Sequence, residues 1–338
     1  MKLKISTVLK FCVSLILAAL LFYFVFRNIS FAEFADKLDD INYWWIGLSV
    51  LLSIVSHLLR SYRWNLTLQP LGYELSIGRT FLALMSGYLA NLVFPRLGEV
   101  TRCGVLKRID GVPISVGIGS VITERVIDFL ILLSLIALDF VLEFDKIFEY
   151  FVTSVKMEDW LANRTLIFAG IGLLVVGGIV GVLGLRYVLK YEFKNPTLNK
   201  VKEKLLEIVD GLGSIRKVQS PTGYVLSTIG IWVLYYLMSY VIFFSMTETS
   251  ELTVGAGLSI LAAAGVSMAM PVQGGIGAYH ALVSGVLVIY GVGATTGLFF
   301  ATMLHTSQML MIVVVGGASM LGSLFIRREN KTESTTNS

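Results

Sequence analysis

Two short stretches, Pro95-Arg96-Leu97-Gly98-Glu99-Val100 and Pro271-Val272-Gln273-Gly274-Gly275-Ile276, share the pattern Pro-x-x-Gly-x-[Val/Ile]. Each follows an apolar run, about 80–94 and 255–270, that is barely long enough to cross a bilayer. Proline removes a backbone donor and glycine loosens the chain, so both runs should break here. Broken backbone at membrane depth is tolerated only where it is buried in protein or lines a wet cavity. Interrupted segments at matching places in two halves of a chain point to a transporter's binding site.

The surrounding composition supports a membrane setting. Of 338 residues, 55% are hydrophobic and 15% charged, with a mean hydropathy of +0.77. Soluble domains carry about 25% charged residues, so a polytopic all-α membrane protein is expected and nucleic acid is not an expected partner. Two cysteines, Cys12 and Cys103, form neither a disulfide framework nor a metal spacing. The basic start, Met1-Lys2-Leu3-Lys4, leads into an apolar run at 9–26 with no small-residue cleavage site after it. It reads as a retained span rather than a signal peptide.

Full spans are expected near 9–26, 44–59, 115–142, 165–187, 224–247 and 295–325. With a cytoplasmic N-terminus and both broken segments re-entrant, 21 Lys and Arg residues fall inside and 5 outside, leaving Arg125 within a span. That asymmetry fits the positive-inside rule and places both termini in the cytoplasm. Three spans then separate the two broken hairpins, which enter from opposite leaflets. The expected architecture is six full spans plus two re-entrant broken hairpins, arranged as an inverted-topology repeat. Its single transmembrane domain covers 1–326, with halves of about 1–142 and 165–326.

Between the halves, the cytoplasmic loop 188–223 carries apolar residues from Leu198 to Ile215 at helical spacing, with lysines between them. It reads as an amphipathic helix on the inner surface, or one that covers the span ends. The polar tail 327–338 is expected to be disordered. The outer loops 27–43 and 143–164 are acidic and carry aromatic residues suited to the interface.

Four groups of residues stand out as candidates for chemistry. Glu124-Arg125-x-x-Asp128 lies about 15 Å into a span, where a charge must face protein or water. Arg125 and Asp128 share a helical face. Either Arg125 binds an anionic head group while Glu124 and Asp128 balance it or relay protons, or a buried ion pair only fixes packing. Arg60-x-x-Arg63-Trp64 closes the second span. It is either a boundary anchor or a pair of guanidinium forks for phosphate.

The third group is Asn91 with Pro95, Arg96, Gly98, Glu99 and Arg102, in which Glu99 can pair with either arginine. The fourth is Pro271, Gln273, Gly274, Gly275, Gly277 and His280, an uncharged stretch suited to close backbone approach. His280 reads as either a hydrogen-bonding residue or a titratable one. No P-loop, metal spacing or nucleophile elbow occurs, so no enzyme, cofactor or metal site is expected.

At these residues the chain resembles the flippase-like transmembrane region of lysylphosphatidylglycerol synthases, the multiple peptide resistance factor family, also found as stand-alone membrane proteins. The matching stretches are Arg60-x-x-Arg63-Trp64, Asn91 with Gly98-Glu99-x-x-Arg102, Glu124-Arg125-x-x-Asp128, and Pro271-x-x-Gly274-Gly275-Ile276-Gly277. The resemblance implies a bacterial or archaeal cytoplasmic-membrane protein that moves or handles anionic or glycosylated lipids. Aminoacyl transfer is not expected, because the soluble synthase domain is not in this sequence. Two positions depart from the family pattern: Gln273 stands where a second proline is usual, and His280 where an acid is often found.

The expected function is a lipid flippase of the bacterial inner membrane acting on anionic phospholipid or polyprenyl-linked head groups. Arg125, Arg96, Arg102, Arg60, Arg63 and Asn91 would hold the head group, with Glu124, Asp128 and Glu99 balancing charge. The alternative is an accessory protein that binds lipid or a lipid-synthase or glycosyltransferase partner without transport. The oligomeric state is not legible.

Overall fold

The computed structural model describes residues 16, 19, 20, 23, 24, 37–94, 97–155, 218–270 and 272–326. The expected spans at 165–187 and, for the most part, 9–26 lie outside the described residues. So do most of the 188–223 helix, the 327–338 tail, Pro95, Arg96 and Pro271. Among the described residues all regular structure is helical.

Helix α1 spans Tyr43–Leu68, opened by Asn42, whose side chain accepts from the Trp44 amide. Next comes a pair of shorter helices, α2 (Ile77–Val93) and α3 (Gly98–Asp110), folded against each other. Long α4 (Ile114–Leu142) and short α5 (Phe144–Val155) complete this half. The second half repeats the order: α6 (Pro221–Tyr240), the paired α7 (Val254–Ala269) and α8 (Ala278–Ile289), then α9 (Ala294–Phe325).

Among the described residues three helical segments are long and apolar enough to cross a membrane: Tyr43–Leu71, Pro221–Ser245 and Ala294–Phe325. Helix α4 is as long at 29 residues, but Glu124, Arg125, Asp128 and Asp139 interrupt its apolar surface. The large apolar side chains on the outside of α6 and α9, such as Leu226, Val314, Leu321 and Phe325, are exposed. In a bilayer these meet lipid, the solvent to which such a surface belongs.

Both broken stretches turn as the sequence predicts, and each has its own stereochemical reason. In the first, the Gly98 amide donates to Asn91 Oδ1 at 2.6 Å, which closes the turn between α2 and α3. A Cβ at Gly87 would sit 2.7 Å from the Gly98 carbonyl oxygen, and one at Gly98 would collide with the Gly87 carbonyl oxygen. The two helices therefore touch backbone to backbone. In the second, Gly274, Gly275 and Gly277 have φ of 55°, 74° and 82°, a left-handed region that side chains disfavour.

Helix α1 packs along α6, and α9 packs against α2 of the first hairpin and α8 of the second. The largest apolar core joins Ile242, Phe243, Ile260, Val283, Leu287, Phe299, Phe300 and Leu304. A second core, around Trp64, Leu68, Leu106 and Ile109, seats the first hairpin.

Candidate functional site

Five charged side chains from three helices meet beneath the first hairpin. Arg60 and Arg63 lie one turn apart on α1, Glu124 and Asp128 one turn apart on α4, and Arg102 comes from α3. Glu124 is the hub. Its Oε1 accepts from Arg63 Nη2 at 3.1 Å and lies 2.8 Å from Arg60 Nε as an ion pair, and its Oε2 accepts from Arg102 Nη2 at 2.9 Å. Asp128 takes Arg60 at 2.7 Å through Oδ2 and Arg63 at 2.8 Å through Oδ1.

The cluster is largely buried: the side chains of Arg63 and Glu124 are 0% and 1% exposed and Arg102 4%, while Asp128 at its edge is 14% exposed. Three guanidinium groups face two carboxylates, so one positive charge is left over. Burying such a charge is costly unless it is well paired. Much of the pairing comes from residues that no sequence motif singled out. Arg60 donates to the Tyr235 hydroxyl at 3.0 Å and Arg63 to Thr228 Oγ1 at 3.4 Å. Arg102 lies over the Trp64 ring at 4.5 Å, and the Trp64 indole donates to Ser120 Oγ at 2.8 Å. His57 packs its ring on Tyr88 at 4.8 Å beside Arg60, with Nδ1 unpaired. Tyr235 and Thr228 were missed because hydroxyls on an apolar span carry no pattern until a guanidinium is seen to reach them.

Three expectations are corrected. Arg60-x-x-Arg63-Trp64 does not close a span, because α1 continues to Leu68 and buries all three residues. These arginines face carboxylates rather than a loop, so their charge says nothing about topology. Arg125 does not join Asp128. It points away from the buried cluster, its side chain 46% exposed, and pairs with Glu99 at 2.8 Å. Glu99 thus pairs with Arg125 and not with Arg102, which Glu124 engages, while Arg96 lies outside the described residues.

Arg125 and Glu99, with Leu84, Gly87, Tyr88, Asn91, Gly98 and Arg102, line a small cavity of about 10 Å³ between the hairpin and α4. That is room for about one water. The cavity is too small for a lipid head group. Asn91 lines this cavity, but its side-chain oxygen is already committed to the Gly98 amide.

The second hairpin lies against the end of α2, and Gln273 makes a polar contact there. The Gln273 side-chain amide donates to the Leu92 carbonyl oxygen at 2.7 Å and also to that of Val93. These carbonyls close the C-terminal end of α2, where a helix leaves acceptors unfilled. His280 is not isolated: its ring lies 5.1 Å from that of His305 on α9, which stacks on Tyr279 at 4.5 Å. Among the described residues no group of His, Cys, Asp and Glu side chains is arranged to hold a metal ion.

The chain is 23% identical over 262 residues to a UPF0104 membrane protein of Methanocaldococcus jannaschii, covering 72% of this chain and 75% of that protein. It is 24% identical over 315 residues to the glycosyltransferase AglD of Haloferax volcanii, covering 86% of this chain but 50% of that protein. The chain thus spans about half the length of this second relative. No solved structure matches it. The family described as the lysylphosphatidylglycerol synthase TM region matches residues 11–316, and the chain is an integral membrane protein belonging to that family.

Proposed function

We propose that the protein moves lipids with anionic head groups, phospholipid or polyprenyl-linked, between the leaflets of a bacterial or archaeal cytoplasmic membrane. The observation that carries this reading is the surplus positive charge buried among Arg60, Arg63, Arg102, Glu124 and Asp128. An intramembrane charge is expensive and marks a substrate path more often than a fastening. A phosphate would compete with Glu124 and Asp128 for the same guanidinium forks. The exposed Arg125–Glu99 pair would receive the head group first, and the tails would stay in hydrocarbon.

The order long helix, hairpin, long helix occurs twice, in α1–α4 and α6–α9. It supports an inverted repeat with the hairpins entering from opposite leaflets, and rocking of one half against the other gives alternating access. This mechanism uses no covalent step, and we assign no enzymatic activity.

A second reading is favoured by the match to AglD. If the matched half of such a protein serves its glycosyltransferase half, this chain would serve a separate glycosyltransferase or lipid synthase as a membrane partner. Reconstitution separates the two readings. Purified protein in vesicles with fluorescent phosphatidylglycerol should accelerate exchange between leaflets, and Arg102→Ala should reduce that rate at least about tenfold. An unaccelerated rate in the wild-type vesicles favours the partner reading.

A further inference from the structure

Two buried imidazoles grip opposite ends of the Gln273–Gly277 turn. His305 Nε2 meets the Gly274 carbonyl oxygen at 3.0 Å. A carbonyl only accepts, so Nε2 carries the hydrogen. The Gly277 amide donates to His280 Nδ1 at 3.3 Å. An amide only donates, so Nδ1 of His280 is bare and its hydrogen is on Nε2. Both assignments describe an imidazole able to make its bond while neutral. The turn they hold is the one whose Gln273 reaches the Leu92 and Val93 carbonyls of the first hairpin.

We propose that His280 and His305 form a proton-binding site whose occupancy releases the second hairpin from the first. A proton on Nδ1 of His280 turns an acceptor into a donor facing the Gly277 amide, and that bond is lost. A proton on His305 leaves its bond to Gly274 intact but sets a positive charge 5.1 Å from the other ring. The charge at His280 would also stand in the first turn of α8, where the helix end is itself positive. Among the described residues, Tyr279 on α8 stacks on His305, and each imidazole faces the other. Leu92 of α2 and Met268 of α7 are among the side chains at the turn.

The proton therefore binds better to an arrangement in which the turn has moved and the rings are wet. By linkage it shifts the population toward that arrangement. The site rests on the translocase reading only in that it names what drives the hairpins apart.

The test measures the hairpin contact itself, so it stands apart from any transport assay. Spin labels at Val93→Cys and Ile276→Cys, with Cys12→Ser and Cys103→Ser, report the separation in phosphatidylcholine–phosphatidylglycerol nanodiscs. Between pH 8 and pH 5 the short-distance population should fall at least about twofold as imidazoles charge. His280→Asn with His305→Gln keeps an acceptor and a donor that take no proton, and should hold the short distance at both values. An unchanged wild-type distribution, or an equal fall in the double variant, overturns the proposal. A pH response without lipid exchange leaves the latch standing and removes the translocase reading.

Discussion

Gln273 Nε2 lies 2.7 Å from the Leu92 carbonyl oxygen, joining residues 181 positions apart in the chain. It is the polar link between the two broken hairpins. Gln273→Ala should leave two carbonyls at the end of α2 without this donor. The expected cost is about 1–3 kcal/mol, read as faster amide exchange across Tyr88–Val93 with little change in overall helicity.

Glu124 accepts from Arg63 and Arg102 and forms an ion pair with Arg60 as well. Glu124→Gln would leave three guanidinium groups with one carboxylate in a largely buried site. Breaking a buried pair from one side costs about 3–5 kcal/mol. Thermal unfolding in detergent should fall steeply for this variant. A joint replacement of Arg102 and Glu124 by Met and Gln should recover part of the loss, since the surplus charge returns to its original value.

Arg125 and Glu99 form a half-exposed pair at the cavity mouth. Exposed pairs contribute about 0–1 kcal/mol, so Arg125→Ala should barely move stability. If Arg125 receives the head group, the same variant should slow phosphatidylglycerol exchange, and Arg125→Lys should restore part of the rate. Equal rates for Arg125→Ala and wild type would remove Arg125 from the path.

Gly98 sits where α2 and α3 touch through backbone atoms. Gly98→Ala has no room, because its Cβ would meet the Gly87 carbonyl oxygen and Asn91. The neighbours are backbone and a hydrogen-bonded amide, so neither gives way cheaply. Loss of about 2 kcal/mol or more is expected, seen as reduced folded yield. Gly104→Ala, with open space around its Cβ, is the matched control on the same hairpin.

Lys37 and Glu248 pair at 2.7 Å outside the spans. The Lys37 hydrogen bond holds the Glu248 carboxyl below its ordinary value. A depressed carboxyl stabilises the fold above its unfolded value and loses that contribution as pH falls through the folded one. Lys37→Met should therefore lower the unfolding temperature slightly at pH 7, and the difference should shrink as pH falls below the ordinary carboxylate range. The effect stays small because half of Glu248 is exposed.

Hydropathy and punctuation determined much of this protein by themselves. Apolar runs set the described long helices, and Pro-x-x-Gly with its glycines set where α2 and α7 stop. Asn91 and Gly98 were legible as parts of one turn because they lie seven residues apart. The family itself was legible from the ordered set of charged and glycine-rich stretches. Partners across the chain were not. Arg60, Arg63 and Trp64 read equally well as an interfacial anchor, since a boundary and a buried cluster use the same residue types.

Only the packing of α1, α3 and α4 decided that Glu124 binds three arginines and that Arg125 faces outward. One residue's step along α4 turns a side chain by about 100°, which separates Glu124 from Arg125 completely. His280 acquired a neighbour only because α9 brings His305 to the second turn. Spacing along a chain fixes which face a residue occupies, whereas what that face meets is fixed by helices that arrive from elsewhere in the sequence.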